Sequence, residues 1–291
     1  MLIKDSFFLR KKTFLILDII LFSLFLIFAI RFSLGQKKQN TDITLLNPKY
    51  LPFVEKVSFI NQNSKDLILQ KEEKSYLLKK GELVAPCDSE SYKKLLDVFS
   101  KAHRSTVISS SKEQAKKLGF NSENQLDLVF SSKEKDFVQL EIIHSKEKSD
   151  RLYLRAKDSE KVYIIDSQEM YYLADADFQS WADPLVFPLE SLGLSGKIQS
   201  NNEFLAKARR GPVLESVYTP ENEVLKTIDV FIGGGARAKI SFYPVNFNDE
   251  DFYLAVPSFY SDLADGNKLL PLNYSFTISS WTYERIIEEN K

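Results

Sequence analysis

The sequence predicts an α+β protein in which an N-terminal transmembrane helix is followed by two repeated units of short helix plus antiparallel strands. An apolar run occupies residues 14–30. Segments after residue 50 alternate apolar with polar side chains, as in a sheet with one face in the core. The order of predicted elements also occurs twice. The predicted parts are 1–35 (cytoplasmic N-terminus and anchor), 36–48 (linker), 49–190 (first unit) and 191–291 (second, shorter unit).

The apolar run at residues 14–30 is interrupted only by Asp18 and Ser23. A bilayer core about 30 Å thick needs roughly 20 apolar residues as helix, and residues 13–34 supply that length. We therefore expect membrane lipid to contact residues 13–34. The basic residues before the run favour a cytoplasmic N-terminus, which places the C-terminal bulk outside the cytoplasm. A cleaved signal peptide is the alternative, although the run is longer than a usual signal-peptide core.

Composition bounds the chemistry of the chain. Cys87 is the only cysteine, so we expect neither an intramolecular disulfide nor a lipid-attachment cysteine after the apolar run. The chain has 39 Lys and Arg residues against 40 Asp and Glu residues, and its lysines are interleaved with glutamates. Nucleic-acid binding needs a basic patch that displaces counterions. We therefore expect no nucleic-acid partner.

The first unit begins with short strands and continues with a helix. Asp88 and Ser89 can cap a helix over residues 89–102, where apolar side chains recur at helical spacing. Ser111 and Gln114 have capping-box spacing before a brief second helix that Gly119 can end. Because no long helix connects the strands, we expect antiparallel pairing. The predicted strands include 57–60, 66–69, 76–78, 82–84, 138–142 and 151–155.

The second unit repeats this order. Residues 101–108 and 207–214 are identical at four of eight positions and similar at two more. Ser200 and Glu203 have capping-box spacing for a short helix over residues 201–208. Downstream, 126–130 aligns with 228–232, 138–143 with 238–243, 152–154 with 252–255, and 162–165 with 274–278. The alignment predicts two copies of one α+β unit.

A set of short motifs between residues 50 and 190 carries a family resemblance. The motifs are 53–57, 67–69, 76–78, Ala85-Pro86-Cys87-Asp88, Leu95-Leu96, 116–120, 151–154 and 162–165. They resemble a bacterial family catalogued as domain of unknown function 4340. The chain departs from the family's pattern at Tyr76, where Trp is frequent, and at Phe120-Asn121, where Leu-Asp is usual. Members commonly have one N-terminal membrane segment and are often encoded beside gliding-type ABC transporter components. The resemblance therefore implies an auxiliary envelope protein, and it supplies no catalytic residues.

Candidates for catalysis and cofactor binding are few. His103 and His144 are the only histidines and lack metal-ligand spacing, so we expect no metal and no cofactor. A Cys87 nucleophile paired with a histidine has no local signature to support it. Gly233-Gly234-Gly235 lies between two predicted strands, which indicates a hairpin turn rather than a nucleotide-binding loop.

Aromatic residues cluster in the proline-containing segments 178–188 and 252–260. Aromatic side chains in loops can dock a protein or a glycan. Alternatively they fill the core and the interface between the units, as their alternation with polar neighbours indicates. The candidate partner-binding residues are Phe178, Trp181, Phe187, Tyr253, Phe259 and Tyr260.

Two functions of different classes follow. The first is a single-pass protein of the cytoplasmic membrane whose extracytoplasmic part is a non-catalytic auxiliary or binding module of an ABC-type transporter or envelope complex. The second is a membrane-tethered envelope hydrolase that uses carboxylates such as Asp249-Glu250-Asp251 or Glu288-Glu289. A cleft with a raised-pKa carboxylate beside a second one would favour the hydrolase. Without a metal spacing, nucleotide loop or nucleophile motif, the sequence favours the module.

Overall fold

The computed structural model describes residues 22–23, 44–104, 106–199, 203–217, 223–247, 250–261 and 266–290. The chain divides into two compact units, Met1–Ile43 and Thr44–Lys291. In the unit Met1–Ile43, Phe22 and Ser23 are helical, and the rest of the predicted membrane span lies outside the described residues. Among the described residues, no helix combines the length and the apolar character needed to cross a bilayer.

The unit Thr44–Lys291 consists mainly of antiparallel sheet with short helices, as the sequence predicted for this part of the chain. Its strands are β1 (Lys56–Asn61), β2 (Leu67–Lys71), β3 (Tyr76–Lys80), β4 (Leu83–Pro86), β5 (Thr106–Ser109), β6 (Leu126–Ser131), β7 (Asp136–His144), β8 (Arg151–Ala156), β9 (Val162–Asp166), β10 (Lys226–Phe231), β11 (Arg237–Phe247), β12 (Glu250–Tyr260) and β13 (Phe276–Ser279). Its helices are α1 (Ser89–Lys101), α2 (Lys112–Lys117), α3 (Gln168–Leu173), α4 (Phe178–Trp181), α5 (Phe204–Lys207) and α6 (Ser280–Glu289), and Pro48–Phe53 is a 3-10 helix.

The larger sheet has nine strands in the order β4-β3-β2-β1-β6-β7-β8-β9-β5. Two meanders, β1 to β4 and β6 to β9, join where β1 pairs with β6. Every pairing is antiparallel, because short turns rather than helices connect most neighbours. At one edge, Val84 of β4 exchanges backbone hydrogen bonds with Asn273 at 2.8 and 3.3 Å. Strand β5 forms the other edge.

The smaller sheet has the order β10-β11-β12-β13 and reproduces the connectivity of β6 to β9. A helix follows the last strand in both cases, α3 after β9 and α6 after β13. Val213 pairs with Phe276 of β13, as β5 pairs with β9. Gly233–Gly235 connects β10 to β11, which confirms the predicted hairpin turn. Gly234 and Gly235 have φ values of 81° and 91°, a conformation that glycine adopts without steric cost.

Helix α1 packs on the larger sheet and matches the helix predicted over residues 89–102. The side chain of Asp88 accepts the backbone N–H of Glu90 at 3.2 Å and caps the first turn. Leu95 and Phe99 are fully buried, and the Phe99 ring lies 5.5 Å from the ring of Phe130 on β6. This buried stripe holds the helix on the sheet.

The capping box predicted at Ser111 and Gln114 did not form as expected. Ser111 precedes α2, but its side chain makes no cap hydrogen bond. Instead, Ser109 Oγ accepts the N–H of Ser111 at 3.2 Å and donates to Gln114 Oε1 at 3.1 Å. Glu203 precedes α5 without a side-chain cap, and Ser200 lies outside the described residues. Gly119 has a φ of 102° just after α2, so its predicted role at the helix end is confirmed.

Candidate partner-binding edge

The structure places four of the six candidate partner-binding residues in the core, which is the alternative that their sequence pattern indicated. Phe178, Trp181, Phe187 and Phe259 are at most 2% exposed. The Trp181 ring lies 5.4 Å from the Phe59 ring, and its indole N–H donates to the Asp175 carbonyl at 2.8 Å. Burial of large aromatic surface stabilises the fold strongly, and these side chains are core residues with no surface to offer.

The other two candidates, Tyr253 and Tyr260, are partly exposed on β12. The Tyr253 ring stacks on the Tyr283 ring of α6, with centroids 3.9 Å apart. The Arg237 guanidinium lies 4.3 Å from the centroid of the Tyr260 ring. Both rings therefore make intramolecular contacts, and their role in partner binding stays a prediction.

The cysteine and the two histidines lie in three different environments. Cys87 is fully buried, and burial raises the pKa of its thiol far above the ordinary value, with the charges of Asp88 and Asp183 adding to the effect. Such a thiol remains protonated and is a poor nucleophile. His144 Nε2 lies 3.0 Å from the Tyr171 carbonyl, so this nitrogen carries the proton. His103 is exposed, and its backbone pairs with Thr44.

The described residues hold no group of three or more His, Cys, Asp or Glu side chains placed to bind a metal ion. Of the carboxylates considered for the hydrolase, Asp249 and the side chain of Asp251 lie outside the description. Glu288 and Glu289 flank Arg285 on α6, each 3.7 Å from its guanidinium.

Asp183 is the carboxylate that burial perturbs most clearly towards the neutral form. Its pKa is raised, chiefly by burial and to a smaller extent by the charge of Asp88. Oδ1 accepts the backbone N–H of Leu185 at 2.9 Å, and Oδ2 accepts the hydroxyl of Ser191 at 2.5 Å. Both oxygens are thus used to hold the turn after α4. This is a structural arrangement rather than a carboxylate presented in a cleft.

Strand β5 is the open edge of the nine-stranded sheet. Val107 pairs with Tyr163 of β9, and none of the described residues pairs with the outer side of β5. The side chains of Val107 and Ile108 are 47% and 39% exposed. Residues 105–111 carry no charge and no proline. Uncharged, β-branched edge strands are ready templates for pairing with another strand.

The remaining edges differ from β5 in ways that discourage pairing. Asn273 covers β4, and residues 211–214 hydrogen-bond along β13 at 2.7 to 2.9 Å. The first residue of β10, Lys226, and its fourth, Asp229, are exposed charges, which blunt an edge. The open, apolar edge at β5 is therefore the candidate binding site of this fold.

Sequence reasoning identified residues 101–108 only as part of the repeat. The signal for an open edge was present in the uncharged run Ser105-Thr106-Val107-Ile108-Ser109-Ser110-Ser111. Its position at the end of the sheet depends on the pairing of β5 with β9, which spans the whole second meander. Local patterns do not encode that pairing.

The fold is a mainly antiparallel α+β arrangement with an open strand edge at β5. The family model described as Domain of unknown function (DUF4340) matches residues 80–223. Through this segment the chain belongs to that family. The match begins at the end of β3, includes α1, β5 and the meander β6 to β9, and extends past residue 190. No curated protein and no solved structure matches the chain.

Proposed function

We propose that the chain is a single-pass, membrane-anchored binding module whose extracytoplasmic part docks onto a membrane complex through the β5 edge. The open, uncharged edge is the observation that supports this proposal. In β-strand addition, backbone hydrogen bonds provide affinity, and side chains of the edge provide selectivity. An extended segment of a partner protein is the occupant that this geometry fits.

The length of the edge sets the strength of the contact. The register of the ladder with β9 shifts between Val107 and Ser109. Regular pairing on the outer side is therefore limited to a few residues of this four-residue strand. Such a short edge supports a reversible contact with a partner that the membrane already holds nearby. Tethering raises the effective concentration, so a weak contact is sufficient.

The repeated connectivity supports the proposed division at residue 190. The meanders β6 to β9 and β10 to β13 have the same strand order, and each is followed by a helix. We propose that 49–190 and 191–291 contain two copies of one unit. In the second copy, residues 211–214 occupy the position that β5 holds in the first. An ABC-type transporter, which the family resemblance implies, is the first complex to test as the partner.

The proposal is tested by placing two charges on the edge in the full chain. The double variant Val107→Lys, Ile108→Lys should reduce recovery of the partner after crosslinking in intact membranes, because charge on an edge strand opposes pairing. The matched control is Val224→Lys, Leu225→Lys, since both side chains are similarly exposed at 47% and 51%. The control should retain the partner.

Two measurements keep the result interpretable. The melting temperature of the edge variant should equal that of wild type, because the substituted side chains lie at the surface. If the edge variant retains the partner as the control does, the β5 proposal is wrong. If it instead converts a dimer of the chain into a monomer, the edge pairs with a second copy rather than with a different protein.

A further inference from the structure

A groove lined by aromatic and lysine side chains lies at the start of the unit Thr44–Lys291. Its volume is about 700 Å³. The 3-10 helix Pro48–Phe53 forms one side, and the turn between β6 and β7 forms the other. We call it the aromatic-lysine groove, which comprises Lys49, Tyr50, Phe53, Lys133, Lys135 and Phe137.

Stacked rings form the floor of the aromatic-lysine groove. The Tyr50 and Phe137 ring centroids are 4.8 Å apart, and the ring planes differ by 13°. The Lys49 ammonium lies 4.8 Å from the Tyr50 centroid, and the Lys135 ammonium lies 5.6 Å from the Phe137 centroid. Phe53 is 61% exposed at the rim. Tyr50 and Phe137 are half-buried, so one exposed ring extends an apolar strip of two partly exposed rings, a feature typical of an interaction surface.

The charge of the groove favours an anionic partner. Lys49, Lys133 and Lys135 are exposed, against the two carboxylates of Glu55 and Glu134. The backbone N–H of Lys133 donates to Glu55 Oε2 at 3.0 Å, so this carboxylate holds the β6–β7 turn. The ammonium groups thus exceed the carboxylates at the rim.

We propose that the aromatic-lysine groove rests on the headgroups of an anionic phospholipid bilayer. The inference rests on the anchor in the proposed function. Nine residues, 35–43, separate Leu34, the end of the predicted span, from Thr44, and the fully extended backbone from Leu34 to Thr44 reaches at most about 35 Å. In the anchored chain of the proposed function, this tether limits how far the groove can lie from the bilayer surface.

The side-chain chemistry of the groove fits a bilayer surface. Aromatic rings with a polar tip favour the boundary between headgroups and acyl chains, where Phe53 can also bury its ring. Lysine lays its aliphatic stem on apolar surface and extends its ammonium towards phosphate. The groove contains both aromatic rings and lysine side chains, and pairing with a strand of a partner protein would not require this combination.

The experiment uses the full chain in nanodiscs of phosphatidylcholine with phosphatidylglycerol. A spin label at Phe53→Cys reports collisions with lipid-soluble oxygen and with a water-soluble nickel chelate. Native Cys87 is fully buried, so it leaves the label selective. The matched control is Trp281→Cys, because Trp281 is 63% exposed and Phe53 61%. The Phe53 label should show a severalfold higher ratio of oxygen to nickel collisions than the Trp281 label.

Lipid charge and lysine content provide the second arm. Omitting phosphatidylglycerol should lower the ratio of oxygen to nickel collisions at the Phe53 label. Lys133→Gln should lower the ratio of docked to undocked protein by about fivefold. Lys226→Gln, an exposed lysine of β10, is the control for loss of one charge.

Each outcome decides the inference. If the Phe53 and Trp281 labels give the same ratio in a chain that is incorporated in nanodiscs, the inference is wrong while the anchor stands. If the Phe53 label is shielded from both oxygen and nickel, a protein covers the groove and the lipid assignment is wrong. A chain that does not incorporate at all overturns the anchor and this inference with it.

Discussion

The guanidinium of Arg210 donates a hydrogen bond from Nε to the backbone carbonyl of Asp183 at 2.6 Å. Its Nη2 donates to the Ala182 carbonyl at 2.7 Å, and its Nη1 to the Gly211 carbonyl at 2.8 Å. Burial lowers the pKa of Arg210 from its ordinary value, and the charge of Asp183 opposes that change in part. One side chain thus fastens the segment after α5 to the turn that follows α4.

Replacing Arg210 with Lys should destabilise the fold by about 2 to 4 kcal/mol, because an ammonium cannot reach the three carbonyls that the planar guanidinium binds. The free energy of unfolding from urea titration measures this loss. Arg209→Lys is the matched control, since Arg209 is the adjacent residue and its side chain is exposed. Equal effects of the two substitutions would show that the hydrogen bonds of Arg210 contribute nothing specific.

Phe99→Ala should lower the free energy of unfolding by about 3 to 5 kcal/mol, and Leu95→Ala by about 2 to 5 kcal/mol. Both side chains are fully buried between α1 and the first sheet, so truncation leaves a cavity. Asp97→Ala on the exposed face of α1 should change stability by only about 0.5 kcal/mol. A small loss at Phe99 would mean that α1 is not packed on β6 as described.

Asp183→Asn tests the effect of burying this carboxyl group. Its folded pKa is raised above the ordinary value of 3.8, so its stabilising contribution is fully present below that value and is lost as pH rises through the raised pKa. The difference in unfolding free energy between Asp183→Asn and wild type should therefore shift in favour of the variant as pH rises above 3.8. Urea titrations across this range measure the difference.

Asp229→Asn, at an exposed position of β10, accounts for the general effect of removing one acidic group. If the unfolding free energies of both variants change with pH in the same way, the raised pKa does not belong to Asp183.

Asp166 should titrate far below an ordinary aspartate. Its Oδ1 and Oδ2 accept Arg151 Nε and Nη2 at 2.7 and 3.0 Å, and Lys148 Nζ lies 3.4 Å from Oδ2. The hydrogen bonds from Arg151 lower the pKa of Asp166 to about 2. Because this pKa is depressed, the stability from the pair is present above 3.8 and is lost as pH falls through about 2.

The carboxyl carbon shift of Asp166 in an NMR titration measures this value. Arg151→Met should return the midpoint towards 3.8, since it removes the main cause of the shift. Lys148→Met should produce a smaller change, because its contact is longer and secondary. A midpoint near 3.8 in wild type would contradict the described geometry.

Local patterns predicted the elements of the fold because their causes are local. The alternation of apolar and polar residues predicted strands β1 to β4, and Asp88 with the stripe of Leu95 and Phe99 predicted α1. Gly119 and Gly233–Gly235 predicted a helix end and a hairpin turn, since only the backbone at those positions is involved. The motifs in residues 50–190 also indicated the family that matches residues 80–223.

Burial of individual side chains could not be predicted in the same way. Phe178 and Trp181 lie in a proline-containing segment that suggested a surface, yet that segment packs on β1 and β3 and its rings are buried. The aromatic-lysine groove arises because Tyr50 meets Phe137, which is remote in sequence. Neither contact follows from periodicity, because periodicity describes one segment and burial depends on which segments meet.

By itself, the sequence determined most of the strands, the helices α1 and α2, the turn at Gly233–Gly235, the antiparallel pairing and the membrane-length apolar run at the N-terminus, but not the helices α3, α4 and α6. The tertiary structure alone decided that β1 joins the two meanders, that four of the six candidate aromatic residues lie in the core and that β5 is left as an open edge. The physical reason is the range of the interactions. Backbone propensity and side-chain alternation act over a few residues, whereas strand order and burial arise from contacts between residues far apart in the chain.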